Sequence, residues 1–222
     1  MATWLEADLR TGAGEQKQVQ LPDGSTALLN TDTALAVDFT ADYRLVRLIQ
    51  GEAQFSVRPE QSRPFRVGSL MGVSETVQSI FTVEALDGLT TVTTQAGEVR
   101  VAAPIADPRA DEYPLQSVVV SQSEQTSYLE NQQPSPPTRV DLDTLLAWQK
   151  GRLVFDGKPF ERAVREVSRY LPERVIIASA KRDNTPISAA FSTSEPIAAL
   201  HALAAARRLS VHRIPGVVIV LS

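Results

Sequence analysis

Histidine and cysteine are the side chains that most often bind metals or transfer protons near neutral pH, and this chain has few of them. It contains two histidines, His201 and His212, and no cysteine. Neither histidine has a carboxylate or a second histidine at the spacing of a metal site. The absence of cysteine excludes disulfides, iron–sulfur clusters and thiol catalysis. We therefore expect no metal and no cofactor, and a structural or surface role for both histidines.

Sequence motifs for other kinds of catalysis are also missing. The chain has no Gly-x-Gly-x-x-Gly or Walker A phosphate loop, no Gly-x-Ser-x-Gly nucleophile motif and no His-Glu-x-x-His zinc motif. Acidic residues are scattered singly through the first half, without the paired carboxylates that glycoside hydrolysis needs. We therefore predict that the protein is not an enzyme and has no catalytic residues.

Charge is distributed unevenly along the 222 residues. Residues 1–133 carry 18 acidic and 9 basic side chains, whereas residues 134–222 carry 8 acidic and 13 basic ones. The net charge of −4 disfavours nucleic acid as a partner. The longest apolar stretches are much shorter than the roughly 20 residues of a membrane-spanning helix, so we expect no direct membrane insertion. The reversal of charge favours two domains.

Three prolines lie between the two charge regions, at positions 134, 136 and 137. Proline lacks a backbone hydrogen-bond donor and favours an extended chain, so residues 134–140 are predicted to form a linker. The two domains are then residues 1–133 and residues 141–222. A long surface loop within a single domain is the alternative interpretation.

The two regions differ in the period of their apolar residues. Before the linker the period is two, as in Leu45–Ile49, and turn residues recur about every 8–12 positions, which predicts an all-β domain. After it, Phe160, Val164, Val167 and Leu171 follow helical spacing. Two helices are predicted there, at residues 160–171 and Pro196–Leu209. Strands are predicted before the first helix at Gly151–Phe155, between the helices at Val175–Ala178 and Ile187–Phe191, and after the second helix at Val211–Ile214 and Val217–Leu221. We therefore predict a small α+β domain made of two β-α-β halves.

Three arginines, Arg162, Arg165 and Arg169, form one stripe on the first predicted helix. The pairs Glu161–Arg165 and Arg162–Glu166 have the i,i+4 spacing of helix ion pairs, which favours an ordinary solvated surface. The alternative is a basic patch that attracts an acidic partner or docks on the acidic first domain. The sequence leaves both interpretations open.

Four motifs, in order, resemble those of the FecR family of inner-membrane sigma-factor regulators. They are Leu21-Pro-Asp-Gly-Ser25, Arg47-Leu-Ile-Gln-Gly-Glu-Ala-Gln-Phe-Ser-Val57, Arg63-Pro-Phe-Arg-Val67 and Trp148-Gln-Lys-Gly-Arg-Leu-Val-Phe155. The closing β-α-β pattern is similar to the secretin/TonB short N-terminal domain. We expect the motif residues to have structural roles in turns and core; they are Pro22, Asp23, Gly24, Gly51, Glu52, Phe55, Pro64, Phe65, Trp148, Gly151 and Phe155.

The resemblance implies the periplasmic, C-terminal portion of a single-pass inner-membrane protein that takes part in cell-surface signalling. Its partner would be the N-terminal signalling domain of an outer-membrane TonB-dependent transducer, usually for a ferric siderophore. A cytoplasmic segment, absent from this sequence, would bind an extracytoplasmic-function sigma factor. Arrival of the siderophore would be relayed to the regulator, and its proteolysis would then release the sigma factor.

The docking mode that we expect is strand addition to an exposed sheet edge, because the transducer domain is itself a small α/β unit. The candidate edges are the last strand, Val217–Leu221, and the strand Val175–Ala178. The predicted partner-binding residues are Val175, Ile176, Ile177, Val217, Val218, Ile219, Arg165 and Arg169. Both domains are expected to contribute, since one small edge offers less area than a standard interface.

The chain departs from the family at a position that affects its chemistry. Many members carry Gly-Thr before a Phe-x-Val motif, and the chain can break itself there by an N→O acyl shift. In this sequence Gln78-Ser79 stands before Phe81-Thr-Val83. Glutamine lacks the backbone freedom that glycine brings to a strained peptide, so we predict no efficient self-cleavage.

Two other classes of function stay open. A carbohydrate-binding or carbohydrate-cleaving β domain would need exposed aromatic side chains along a groove, but the few aromatic residues lie mostly at core positions. A structural component of a secretion system is the second alternative, because secretin-like modules also occur there. Glycan binding would favour the first class, and ring formation would favour the second.

Overall fold

The chain divides into two compact units. The computed structural model describes residues 7–109, 117–178 and 185–222. Unit 1 consists of Gln16–Asp141 and the residues up to Gly12, and unit 2 consists of Leu142–Ser222 with Ala13–Glu15. Within the described ranges, no helix is both long enough and apolar enough to cross a lipid bilayer.

Unit 1 is built from strands, which confirms the prediction of an all-β first half for the residues described. Its twelve strands are β1 (Leu9–Arg10), β2 (Lys17–Gln20), β3 (Thr26–Leu29), β4 (Ala34–Phe39), β5 (Arg44–Ser56), β6 (Phe65–Ser69), β7 (Gly72–Thr76), β8 (Ser79–Leu86), β9 (Leu89–Ala102), β10 (Ser117–Ser121), β11 (Glu124–Leu129) and β12 (Thr138–Arg139). They pair in two layers. The first layer has the order β1-β4-β5-β6-β7-β9-β10, and the second has the order β2-β3-β5-β8-β9-β11-β12. All pairs are antiparallel except β5 with β6.

Two long strands, β5 and β9, belong to both layers and bend at a glycine where they pass between them. Gly51 in β5 has φ +90°, and a Cβ there would lie 2.4 Å from Thr33 Oγ1. Gly97 in β9 has φ +79°, and a Cβ there would lie 2.8 Å from the Gln78 carbonyl oxygen. Both the backbone angle and the close approach require a residue without a side chain.

The core of unit 1 lies between the layers and is centred on three phenylalanines. Phe55, Phe65 and Phe81 are fully buried, and their ring centroids are 5.7 Å apart for Phe55–Phe65 and 5.5 Å apart for Phe55–Phe81. Burying each such side chain contributes about 1.5–3 kcal/mol. The alternation of Phe55 with polar neighbours along β5 is what places it inside.

Residues 134–140, the predicted linker, pair with unit 1 over part of their length. The Ser135 amide donates to the Ser127 carbonyl oxygen at 2.9 Å, and β12 pairs with β11. The segment therefore lies along the edge of unit 1, and unit 2 begins at Leu142. A proline lacks only its own backbone donor, so the carbonyl groups and the other amides of the segment can still pair with a strand edge.

Unit 2 contains helices and short strands. Its elements are α1 (Leu142–Leu145), a 3-10 turn at Ala147–Lys150, β13 (Arg152–Pro159), α2 (Phe160–Ser168), β14 (Arg174–Ile177), β15 (Pro186–Ser192), α3 (Pro196–Ala206), β16 (Val211–Ile214) and β17 (Val218–Leu221). β13 and β15 form an antiparallel pair. A separate three-stranded sheet has the order β14-β17-β16, with β14 parallel to β17. The buried faces of α2 and α3 pack together, through Phe160, Ala163, Val164 and Val167 on one helix and Ala199, Leu200, Leu203 and Ala204 on the other.

The order of strands and helices in unit 2 agrees with the sequence pattern, but two helices end earlier than predicted. α2 ends at Ser168, because the amides of Tyr170 and Leu171 bond three residues back, to Val167 and Ser168, in a tighter turn. α3 ends at Ala206, before Arg208 with φ +56°. Leu171 is buried although it lies beyond the end of α2. Its spacing from Val167 therefore indicated a buried position and not the length of the helix.

The last strand is not a sheet edge, contrary to the sequence prediction for Val217–Leu221. β17 lies in the middle of its sheet and bonds to β14 on one side and to β16 on the other. Its backbone is therefore already paired and cannot accept an added strand. Of the two predicted edges, only β14 is at the border of the sheet in the described part of unit 2.

Candidate functional site

The Pro22-Asp23-Gly24-Ser25 turn fixes a carboxylate inside unit 1. The Asp23 Oδ1 atom accepts from the Ser25 amide at 2.9 Å, and Oδ2 accepts from the Ser25 hydroxyl at 2.7 Å. Asp23 Oδ2 also lies 2.7 Å from Nη1 of Arg44, and both side chains are almost fully buried. The turn therefore holds a preformed anion against the first residue of β5.

Arg44 joins three segments of the chain. Its Nε donates to the Arg63 carbonyl oxygen at 2.7 Å, and its Nη1 donates to the Arg58 carbonyl oxygen at 3.2 Å. The guanidinium carbon lies 5.6 Å from the centre of the Phe65 ring, within cation–π range. Sequence reasoning missed Arg44. Arg44 lies two residues before the buried Val46, so the alternation of the strand places both side chains on the same, buried side. A charge at such a position requires an internal partner, and this was the available signal.

Glu60 and Arg63 form an ion pair next to Arg44, at the surface end of the Asp23–Arg44 hydrogen-bond network. Arg63 Nε donates to Glu60 Oε1 at 2.5 Å, Nη2 donates to Oε2 at 3.2 Å, and Nη1 donates to the Thr40 carbonyl oxygen at 2.6 Å. The hydrogen bonds from Arg63 lower the pKa of Glu60, and the same bonds raise the pKa of Arg63. The motif residues Pro64 and Phe65 follow directly, so this pair fixes the start of β6.

The remaining motif residues are also internal. Glu52 is nearly buried and accepts from Asn30 Nδ2 at 2.8 Å, while Thr33 Oγ1 bonds to both backbone groups of Glu52. In unit 2, Trp148 and Phe155 are buried, and the Gly151 amide donates to the Trp148 carbonyl oxygen at 2.9 Å. These side chains hold turns and core together.

A metal or catalytic cluster is not found in the part of the chain that the structure describes. No group of three or more His, Cys, Asp or Glu side chains there could hold a metal ion. The exposed His201 lies on α3, and the exposed His212 lies on β16. Of the carboxylates described above, Asp23 and Glu60 are paired with arginines and Glu52 accepts from the Asn30 side chain, which suits a scaffold.

The surface of unit 2 offers a contiguous apolar face. The strand registers align Arg174 with Val218 and Ile214, and Ile176 with Val220 and His212, on one side of the three-stranded sheet. Ile176 is 41% exposed and Ile214 is 59% exposed. We call this side the outer face; its six residues are Arg174, Ile176, His212, Ile214, Val218 and Val220. It has four apolar side chains, one permanent cation and no carboxylate.

The predicted partner-binding residues lie in three different places. Ile176 and Val218 are on the outer face, and Val217 is in the adjoining turn, 62% exposed. Val175, Ile177 and Ile219 point to the opposite side of the same sheet, where Ile219 is fully buried. Arg165 on α2 and Arg169, directly after α2, are not on the sheet; Arg165 is exposed and Arg169 is half-buried. The structure thus brings together Ile176, Val217 and Val218.

A buried carboxylate shapes the turn at one end of the outer face. Glu173 Oε1 accepts from Arg213 Nη2 at 2.6 Å, from Arg213 Nε at 3.0 Å and from the Gly216 amide at 3.1 Å. The Gly216 amide and Arg213 lower the pKa of Glu173. Glu173 therefore ties the start of β14 to the β16–β17 turn that carries Val217.

Acid is expected to loosen this turn. Because the pKa of folded Glu173 lies below its unfolded value, its stabilising effect is present above about pH 4.3 and is lost as pH falls through the lower folded value. The protection factors of the β16 and β17 amides, which correct hydrogen exchange for its intrinsic dependence on pH, should fall over that range. Glu173→Gln should lower these protection factors at neutral pH and make them much less dependent on pH between pH 5 and 3. An equal pH response in the variant would contradict this role.

Ser79 does not have the geometry of a self-cleaving residue. It is buried at the start of β8, and its Oγ donates to the Ala96 carbonyl oxygen at 2.7 Å. Neither Gln78 nor Ser79 has a positive φ. The hydroxyl is therefore engaged and the preceding peptide carries no left-handed strain that an acyl shift would release.

The purified chain is expected to stay intact. Mass spectrometry after prolonged incubation should give one species of 24.2 kDa. The double variant Gln78→Gly with Ser79→Thr restores the family dipeptide and serves as the comparison. Two fragments of the unaltered chain, split before Ser79, would show that the prediction is wrong.

Comparison with known proteins gives a family match within the first unit and a similar fold for the whole chain. Residues 7–100 match the family described as FecR protein. Two crystal structures of a candidate anti-sigma factor from Parabacteroides distasonis are similar over 96% of this chain, with 24% sequence identity. The match covers 97% of the first (TM-score 0.79) and 96% of the second (TM-score 0.78). No curated protein sequence is a significant match. At this identity, the structural similarity establishes the fold alone.

Proposed function

We propose that this chain, whose residues 7–100 match the family described as FecR protein, acts without catalysis as a regulator of a sigma factor in cell-surface signalling. The family match is the observation that carries the proposal. The similar crystal structures are of a protein named as a candidate anti-sigma factor, which agrees with it. The burial of the motif residues adds support, because such residues build a scaffold.

We further propose that the chain is periplasmic and receives its signal from an outer-membrane TonB-dependent transducer of ferric siderophores. The N-terminal signalling domain of the transducer would dock on unit 2, which we assign to the secretin/TonB short N-terminal type. The order of its elements and the separation of its strands into a pair and a three-stranded sheet support that assignment. The sigma factor would be reached through a cytoplasmic segment, as in the family.

The surface that suits this partner is the border formed by β14 and the outer face. In the described residues β14 pairs with β17 alone, so its other side can accept an added strand. Ile176 supplies exposed apolar area next to that side, Val217 adds exposed apolar area in the β16–β17 turn, and Arg174 supplies positive charge. The complementary partner surface is apolar with an acidic border. Arg165 on α2 and Arg169 directly after it are candidates for a peripheral electrostatic contribution.

Docking would act by shifting a conformational equilibrium, since no chemical step is involved. A partner that binds one pose of the chain more tightly than the other shifts the equilibrium toward that pose. The size of the shift is set by the ratio of its affinities for the two poses. The altered pose would change the access of a protease to the regulator. Release of the sigma factor would follow from proteolysis.

A pulldown from outer-membrane extract followed by a titration tests this proposal. The immobilised chain should retain a TonB-dependent transducer, identified by mass spectrometry. The isolated signalling domain of that transducer should then bind the full chain one to one in calorimetry. Failure of the purified domain to bind would overturn the proposed partner.

The two alternative functions give different results in the same preparation. Binding on a glycan array, or hydrolysis of a glycan, would favour a carbohydrate-recognising β domain. Assembly of the purified chain into rings on size-exclusion chromatography would favour a structural role in secretion. A monomer that binds neither glycans nor itself is the result expected for a signalling module.

A further inference from the structure

Beyond β9, the chain crosses the outside of the first layer of unit 1. We call this segment, Ala103–Arg109, the strap. Its Ile105 amide donates to the Met71 carbonyl oxygen at 2.6 Å, and the Ile105 side chain packs with Val73 and Ala102 in a small apolar cluster. The first residues of the strap are therefore attached to the β6–β7 hairpin.

The far end of the strap is held by charged and close contacts. Arg109 Nη2 lies 3.2 Å from Asp38 Oδ2, and Arg66 Nη1 donates to the Arg109 carbonyl oxygen at 3.0 Å. Pro108 lies so near Gly68 that a Cβ on Gly68 would be 3.3 Å from the proline ring. With both ends fixed, the strap forms one wall of a defined space.

A cavity of about 550 Å³ lies between the strap, β5 and the β6–β7 hairpin. Its apolar wall includes Leu48, Ile49, Leu70, Met71 and Ile105. Ligand sites typically have volumes of roughly 300–1,000 Å³ and an apolar wall with few polar groups. The size and lining suit a small molecule with an aliphatic body.

Arg47 brings a buried donor to this cavity. It lines the cavity, and its buried Nε has no hydrogen-bond partner among the residues that the structure describes. The other cation of the wall, Arg109, is already paired with Asp38. A buried donor without a partner is costly and is rare in native proteins, so an anion from outside the chain is the expected partner.

We propose that the cavity beneath the strap binds a monoanionic amphiphile, a carboxylate on an aliphatic chain. The carboxylate would accept two parallel hydrogen bonds from the Arg47 guanidinium, and the chain would lie along the apolar wall. The positive charge of Arg47 balances one negative charge. The carboxylate of Asp107 at the rim disfavours a dianion such as a phosphate monoester. This site is in unit 1 and does not depend on the docking proposed for unit 2.

Calorimetric titration of the full chain tests the site, with decanoate as the probe. Decanoate should bind one to one, and decanol and decyl phosphate should each bind at least tenfold more weakly. Arg47→Gln should weaken decanoate binding at least tenfold, whereas Arg58→Gln, at an exposed arginine of the same unit outside this cavity, should leave it unchanged.

A second variant separates loss of binding from loss of folding. Ala106→Trp places a large ring at an exposed position of the strap that lines the cavity, and it should block decanoate while the circular dichroism spectrum stays unchanged. No binding of decanoate to the unaltered chain would overturn the proposal. Equal affinity in Arg47→Gln, or equal affinity for decanol, would overturn the role of Arg47. Tighter binding of decyl phosphate would overturn the assignment to a carboxylate.

Discussion

Asp23→Ala is expected to lower the free energy of unfolding of unit 1 by about 3–5 kcal/mol, the usual cost of breaking a buried ion pair by removing one partner. The substitution removes the closest counter-ion of the fully buried Arg44 guanidinium and leaves only Glu60, whose Oε2 lies 3.8 Å from Nε. It also removes both hydrogen bonds by which Asp23 holds Ser25 in the turn before β3. The expected cost is large because the charge that remains cannot reach water.

Hydrogen exchange of the β5 amides is the appropriate measurement, because it reports on unit 1 separately from unit 2. Exchange through global opening should be faster by roughly two to four orders of magnitude. Asp42→Ala removes an exposed carboxylate nearby and is the matched control. Adding Arg44→Met to Asp23→Ala should recover part of the loss, because the unpaired charge is then gone. If Asp23→Ala behaves like Asp42→Ala, the ion pair does not stabilise the unit.

Ile176→Asp is expected to weaken binding of the transducer signalling domain at least tenfold. Ile176 lies on the outer face beside the open side of β14 and is 41% exposed, so the variant should fold. In the complex, however, the new carboxylate would be buried among apolar side chains, which costs several kcal/mol without a partner. Calorimetry with the purified signalling domain gives the change in Kd directly.

Val119→Asp provides the control for the second prediction. Val119 is 48% exposed on β10 in unit 1, so it introduces the same charge at a similarly exposed position elsewhere. Its Kd should equal that of the unaltered chain. If both variants bind equally well, the partner uses another surface. If Val119→Asp alone weakens binding, unit 1 carries the interface.

The positions of individual strands and helices were largely predictable, because they depend on neighbours a few residues away. The alternation of apolar and polar residues in β5 places Phe55 inside. The spacing of Phe160, Val164 and Val167 gives the buried face of α2. The direction of successive side chains in a strand or a helix is set by the local backbone geometry. These patterns can therefore be recognised from a single sequence.

The candidate site could be predicted only in part. Ile176 and Val217 were recognised as apolar and near a possible edge. The sequence did not distinguish β14, at the border of its sheet, from β17, in the middle. Strand order depends on which segments meet across long stretches of chain, and no local pattern records it. The pairing of the proline segment with β11 was not visible in the sequence for the same reason, because it is a tertiary contact.

The sequence by itself determined that this protein has a β-rich first half, a mixed second half and none of the familiar motifs of catalysis or metal binding. The tertiary structure alone decided that Asp23 and Arg44, 21 positions apart, form a buried pair. It also decided that Arg47 lines a cavity with its Nε unbonded to any described residue, and that an apolar sheet face surrounds Ile176. The physical reason is that alternation and helical spacing are set within one segment, whereas charge pairing, cavities and sheet borders arise only when distant segments pack together.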